Sequence, residues 1–267
     1  FIHINNLQVL FICIQWKAFM KLTYGNQTVD LFDLKKPNKI ILSVSGGLDS
    51  ASLFYLICTN FPDMEVIPFT STDKHAPFDT HCAMDIVQFM RETFPDHPIG
   101  EHYIHEFDKS NWAVRKEAED SWEREKVMID GERVPRCNTL SGLVKILEKR
   151  KHLRACRDLH DQALPVTGMT KNPPEKVMKD LNFKELAEER RSYREPSQVW
   201  GVTEYQPYLN VDKRFVAGVF KTHGLMDTLF HMTGSCVGGP IESDYYTKEC
   251  HQCFWCHEKK WAFNLEW

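Results

Sequence analysis

Residues 43–50 read Ser-Val-Ser-Gly-Gly-Leu-Asp-Ser, between the apolar run "KIILSV" (39–44) and a second one, "SASLFYLI" (50–57). Paired glycines there cost backbone entropy and pack nothing, which suits a turn that something must approach closely. A strand, a Gly-Gly turn and a helix together make an anion site. Successive N–H groups form a nest and the helix start adds partial positive charge. Gly46 and Gly47 would admit phosphate oxygens, with Leu48 opening the helix. Ser43, Ser45 and Ser50 supply hydroxyl donors, and Asp49 could cap the helix or hold a magnesium ion. The Gly-Lys-Ser/Thr ending of a Walker loop is absent, and so is the dinucleotide pattern G-x-G-x-x-G. The plain alternative is an ordinary turn with Asp49 or Ser50 as the helix N-cap.

Four of the nine cysteines fall together near the end of the sequence. Cys236, Cys250, Cys253 and Cys256 are spaced C-x13-C-x2-C-x2-C. A C-x2-C turn brings two thiolates to one ion, and Zn2+ favours four such ligands in a closed structural site. Close C-x2-C-x2-C spacing also suits an iron–sulfur cluster. His251 and His257 are substitute ligands, and Trp255 and Trp261 would cover such a knuckle.

The elements that must hold these groups alternate. Strands are expected at 39–44, 64–70, 102–107 and 163–169. Helices are expected at 50–57, 79–94, 141–153, 183–193 and 212–224, the last closed by Gly224. The charge-rich segment 111–130 reads as an exposed helix with its Trp and Val residues turned inward. This order predicts an α/β fold with a mostly parallel, doubly wound sheet, whose ligands sit beyond the carboxyl ends of the strands. The glycine turn lies at such an end. Beyond about residue 234 the periodicity fails, so the expected division is an extension (1–19), an α/β domain (20–233) and a metal-held segment (234–267).

Composition narrows the class. A content of 42% hydrophobic and 12% aromatic residues supports a buried core, and a formal charge of -4 disfavours a dedicated duplex-DNA binder. The stretch "LQVLFICI" (7–14) falls short of the roughly 20 apolar residues of a bilayer span and lacks the features of a secretory signal. Residues 1–19 read as an extra strand or as sequence upstream of a start at Met20. A cytoplasmic protein with no membrane attachment is expected, its cysteines thiols or metal ligands. A homodimer is the default assembly.

The segment Ser45–Ser50 resembles the pyrophosphate loop of the PP-loop ATP pyrophosphatases, Ser-Gly-Gly-x-Asp-Ser, at every specified position. The resemblance implies that ATP is cleaved between its α- and β-phosphates as a substrate is adenylated. Within that superfamily the tail is similar to 7-cyano-7-deazaguanine synthases. It carries Thr233, Ser235 and Cys236, then the three clustered cysteines, Lys259 or Lys260, and Ala262-Phe263. Other segments agree in order: "VPRCNT" (134–139), "PVTGMTKN" (165–172), "PYLNVDKRFV" (207–216) and "TDKH" (72–75). The likeness covers most of 39–263, thinly between loop and tail. It implies ATP with Mg2+ at the loop and structural Zn2+ on the cysteines. Asp49 and Lys213 become the catalytic groups, and Arg136, Asn138 and His75 the substrate contacts. The substrates would be a carboxylated deazapurine and ammonia.

The departures concern the acceptor. Cys137 stands where the group carries arginine, the first cysteine gap is longer, and the group's substrate segment after the fourth strand is missing. A divergent member joining the activated deazaguanine to a protein or peptide amine would look like this. Two further readings use the same residues. A sulfonucleotide reductase would need a catalytic cysteine outside the cluster. A non-catalytic nucleotide-binding protein would use the knuckle and "RRSYR" (190–194) on nucleic acid.

Overall fold

The computed structural model describes residues 20–32, 37–75, 77–124, 126–129, 132–135, 139–161, 163–180, 204–236 and 248–266. The chain opens with an antiparallel hairpin, β1 (Met20–Tyr24) and β2 (Gln27–Leu31), turning at Gly25 with φ +61°. A parallel sheet follows, made of β3 (Lys39–Ser43), β4 (Glu65–Asp73) and β5 (Tyr103–Phe107). A second hairpin, β6 (Lys126–Ile129) and β7 (Glu132–Pro135), stands apart from it, and β8 (Leu164–Thr167) completes the sheet. The helices are α1 (Leu48–Asn60), α2 (Pro77–Thr93), α3 (Trp112–Ser121), α4 (Leu140–Leu159), α5 (Glu175–Asp180), α6 (Lys213–Thr222) and α7 (Phe254–Phe263).

The sheet order is β5-β4-β3-β8, all parallel, with Ile41 paired to both Ile67 and Pro165. The chain moves outward through β3, β4 and β5, then returns to the other side of β3. The topological switch point therefore lies at the carboxyl end of β3, where open α/β sheets bind ligands.

Both faces of β3 are covered, as its unbroken apolar run requires. Ile40 and Leu42 join a large cluster with Phe54, Ile86, Phe215 and Phe220, whereas Ile41 turns the other way onto Leu153 and Cys156 of α4. Each such fully buried branched side chain contributes about 1.5–3 kcal/mol over exposure. The sheet is doubly wound on these two layers.

Two expectations are corrected. The segment 111–130 is not one helix. Asn111 Oδ1 caps α3 at the Ala113 N–H (2.9 Å), α3 ends at Ser121, and β6 begins at Lys126. Antiparallel pairing of β6 with β7, Val127 opposite Val134, takes the end of the segment out of the helix, so cross-strand pairing outweighs helical charge patterning. Val114 and Trp122 pack inward as expected, whereas Trp112 points outward at 76% exposure. The segments 1–19 and 183–193, including "RRSYR", lie outside the described residues. No helix of the described residues is long and apolar enough to cross a membrane.

The tail is built into the main core. Phe263 packs on Phe230 and Phe220, with centroids 4.9 and 5.8 Å away, and Ala262 joins the same cluster.

Candidate functional site

The loop between β3 and α1 forms one wall of a cavity of ≈ 330 Å³ lined by Ser45, Gly47, Leu48, Asp49 and Ser50. Gly46 has φ +77°, and a Cβ there would meet Asp79 O at 2.5 Å, so only glycine fits. Gly47 is the N-cap of α1, and among the described residues no side chain caps that helix start. A helix start of this kind presents backbone N–H groups and partial positive charge, the features that suit an anion. Internal bonds fix the loop: the Ser45 N–H donates to Ser50 Oγ (3.2 Å), which donates to Gly47 O (2.9 Å). Ser43 is buried one turn behind, its hydroxyl without a partner among the described residues, and Leu48 anchors the helix in the core.

Asp49 does not cap the helix. Lys213 Nζ donates to Asp49 Oδ1 at 2.7 Å, and Thr170 Oγ1 donates to Asp49 Oδ2 at 3.1 Å. The second carboxylate at Lys213 comes from the tail: Glu258 Oε2, fully buried, is 3.8 Å from Nζ. One ammonium thus faces two carboxylates, each from a different helix.

Lys213 is held from below by the first hairpin. Asp212 caps α6, accepting the Arg214 N–H at 3.0 Å. The Gln27 side-chain amide grips Asp212 twice, donating to Oδ1 (2.9 Å) and accepting its backbone N–H (2.8 Å). Gly218 lets β1 approach, since a Cβ there would lie 2.7 Å from Tyr24 Cβ. Tyr208, completely buried, receives a hydrogen bond from Ser52 Oγ (3.2 Å), and burial pushes its hydroxyl pKa well up.

The far wall holds Asp79 of α2, Lys145 of α4, Thr167, Gly168, Met169 and Trp255. Burial raises the Asp79 pKa, and Lys145 partly offsets this. Gly168 permits close contact, because a Cβ would stand 2.6 Å from Asp49 O.

The four cysteines converge. Their sulfurs lie within 4.8 Å of one another, with Cys253–Cys256 at 3.5 Å and Cys250–Cys256 at 4.0 Å. Four ligands about 2.3 Å from a tetrahedral ion sit about 3.8 Å apart, so the set fits one metal ion. The backbone N–H groups of Gln252 and Cys253 point at Cys250 Sγ, as suits a thiolate. Without a cation the Cys256 thiol is raised by its hydrogen bond with Cys253 and by burial. A bound cation reverses that preference. The site adjoins the loop: Cys236 follows Gly234, whose N–H donates to Gly46 O at 2.8 Å. Cys236 itself lines the cavity.

Sequence reasoning singled out the loop, Lys213 and the four cysteines, and these share one region. His75 is not brought to the cavity wall. It is half exposed, with Nε2 3.3 Å from Asp108 Oδ1. Arg136, Cys137 and Asn138 lie outside the described residues. Glu258, Asp79, Lys145, Thr170 and Gln27 were missed. Glu258 had a signal: it stands four residues from both Phe254 and Ala262, on the apolar face of the tail helix.

The fold and the site define an α/β protein with a glycine loop and a helix start at its switch point and four converging cysteines beside it. No family model matches the chain, and no curated protein matches it. Solved structures give loose likenesses. A glutamine-dependent NAD+ synthetase from Acinetobacter baumannii, in complex with ADP, has 12% identity and a TM-score of 0.44, over 78% of this chain and 34% of that one. The U34-tRNA thiolase NcsA from Methanococcus maripaludis, with its 4Fe–4S cluster, has 18% identity and a TM-score of 0.42, over 86% and 65%. NMN synthetase from Francisella tularensis has 11% identity and a TM-score of 0.45, over 85% and 84%. The site's own geometry carries the functional reading.

Proposed function

We propose that this chain is a PP-loop ligase that adenylates 7-carboxy-7-deazaguanine with ATP and converts it with ammonia to 7-cyano-7-deazaguanine. The observation that carries the reading is the uncapped start of α1 behind Gly46 and Gly47, with Lys213 on Asp49 at the same cavity wall. ATP lies with its phosphates on 45–50. The substrate carboxylate attacks the α-phosphorus, and pyrophosphate leaves as an acyl-adenylate forms. Loop N–H groups and Lys213 stabilise the charge that builds on the phosphoryl oxygens. Ammonia displaces AMP to give the amide. The amide oxygen then attacks the α-phosphorus of a second ATP, pyrophosphate leaves, and loss of AMP and the amide protons gives the nitrile.

Asp49 is the residue that would hold Mg2+, which supplies charge neutralisation at the phosphates. The cysteines fit Zn2+ better than an iron–sulfur cube, since a cube places each thiolate on a different iron and must spread the sulfurs further than 3.5–4.0 Å. The zinc would be structural, fixing the tail so that Gly234 braces the loop and Glu258 meets Lys213.

A second reading keeps the activation and replaces ammonia with a protein or peptide amine. It is favoured by Cys137 standing in for the arginine and by His75 lying away from the cavity. Mass spectrometry of the deazaguanine product decides between them. A nitrile supports the synthase. Carboxylate-dependent turnover without free amide or nitrile moves the assignment to the conjugating enzyme, and no deazaguanine product under any condition removes this substrate altogether.

A further inference from the structure

Three side chains away from the nucleotide cavity meet between the edge strand β5 and helix α4. His105 Nε2 lies 3.3 Å from Glu148 Oε2, and His152 Nε2 lies 3.7 Å from the same oxygen. One ligand atom from each falls within 4.8 Å of the other two. Glu148 and His152 sit four residues apart, so α4 presents them one above the other, and His105 reaches across from the strand. Two imidazole nitrogens and a carboxylate oxygen are the donors of zinc sites that keep an open position. Ligands about 2.1 Å from a tetrahedral ion stand about 3.4 Å apart, a spacing that the two contacts bracket.

Charge points the same way. The Glu148 side chain is only 7% exposed, and a carboxylate removed from water needs a close partner. The lysine near it, Lys151, is 60% exposed and 3.8 Å away, a distant and well-hydrated counter-charge. The space beside Glu148 Oε2 is instead occupied by two imidazoles that share one oxygen.

We infer that His105, Glu148 and His152 form a second metal site, separate from the four cysteines, for a first-row divalent ion such as Zn2+. The ion ties edge strand β5 to α4 and balances the Glu148 carboxylate. The His105 and His152 rings lie 19° from parallel with centroids 3.2 Å apart, so seating both nitrogens on one ion turns His152 out of the stack. His152 has room to turn, its side chain being 35% exposed. Water takes the remaining coordination position from that open side.

The test is calorimetric titration of the full chain with ZnCl2, its cysteine site already loaded, alongside thermal unfolding. Wild type takes up one further equivalent, and its Tm rises by about 5 °C when the site is saturated. His152→Gln removes the imidazole but keeps a neutral polar side chain at this partly exposed position, folds as wild type, and loses that equivalent. His152→Cys, which restores a ligand, regains it. The inference is overturned if wild type takes up no further equivalent, or if His152→Gln takes it up with wild-type affinity. Neither result bears on the ATP reaction.

Discussion

Lys213 Nζ and Asp49 Oδ1 are 2.7 Å apart, joining the first residue of α6 to the first turn of α1 across the carboxyl end of the sheet. The pair has side chains 7% and 17% exposed, and the buried Glu258 carboxylate makes it a triad. Burying two carboxylates with one ammonium costs solvation and is a weak stability device. At the cavity wall, such a cluster places a fixed cation where anionic charge would develop.

Lys213→Ala is expected to do two things. Removing the ammonium strands Asp49 and the fully buried Glu258, costing about 3–5 kcal/mol in a denaturant melt. Adenylation falls by roughly 10²–10³ in kcat, the usual loss when one preorganised electrostatic group is removed. Lys213→Ala combined with Glu258→Gln recovers much of the stability and none of the rate, which separates the two roles.

The two loop glycines are expected to part company. A Cβ at Gly46 would lie 2.5 Å from a backbone oxygen, so Gly46→Ala loses stability and ATP affinity together. A Cβ at Gly47 would meet nothing nearer than Gly234 O at 3.5 Å. Gly47→Ala therefore folds with a Tm close to wild type yet weakens ATP binding about tenfold or more, because the methyl occupies the phosphate's approach. Calorimetric titration with ATP, beside thermal melts, checks both.

Stripping the metal should reach the nucleotide site. Chelation, or Cys253→Ser, frees the segment that carries Gly234 and Cys236 and loosens the 2.8 Å bond from Gly234 to Gly46. The expected outcome is a Tm lower by about 5 °C or more, together with lost ATP affinity. Elemental analysis of the purified protein identifies the ion, zinc and not iron on this account.

Acid should weaken the fold through His102. Burial, with a smaller push from Arg91, lowers its pKa to about 4, and its Nε2 is paired with Thr70 Oγ1 at 2.8 Å. The unfolded chain takes up a proton near pH 6.5 that the folded chain refuses until about pH 4. Stability is full above pH 6.5, falls as pH drops toward 4, and levels below that, a loss of up to about 3 kcal/mol from this residue. His102→Gln is expected to flatten that part of the curve in denaturant melts between pH 7 and 4.

What the sequence revealed follows the range of each signal. Ser45 to Ser50 is contiguous, and the three clustered cysteines are nearly so, hence their legibility. The buried runs at Ile40–Leu42 and the Gly224 stop likewise carry their meaning locally. Glu258 opposite Lys213, Gln27 beneath Asp212 and Gly234 against Gly46 are pairings between distant segments, and periodicity marks a buried face without naming its partner. Trp112 was misplaced because a large apolar residue at a helix start is held inside by tertiary packing alone, and here Val114 and Trp122 fill that layer.

The most direct measurement is the fate of α-phosphate-labelled ATP with Mg2+, ammonia and 7-carboxy-7-deazaguanine, with Asp49→Asn alongside. The account predicts labelled AMP and an equal amount of pyrophosphate, dependent on the carboxylate and lost in the variant. Labelled ADP with inorganic phosphate, or AMP formed equally well by Asp49→Asn, would contradict it.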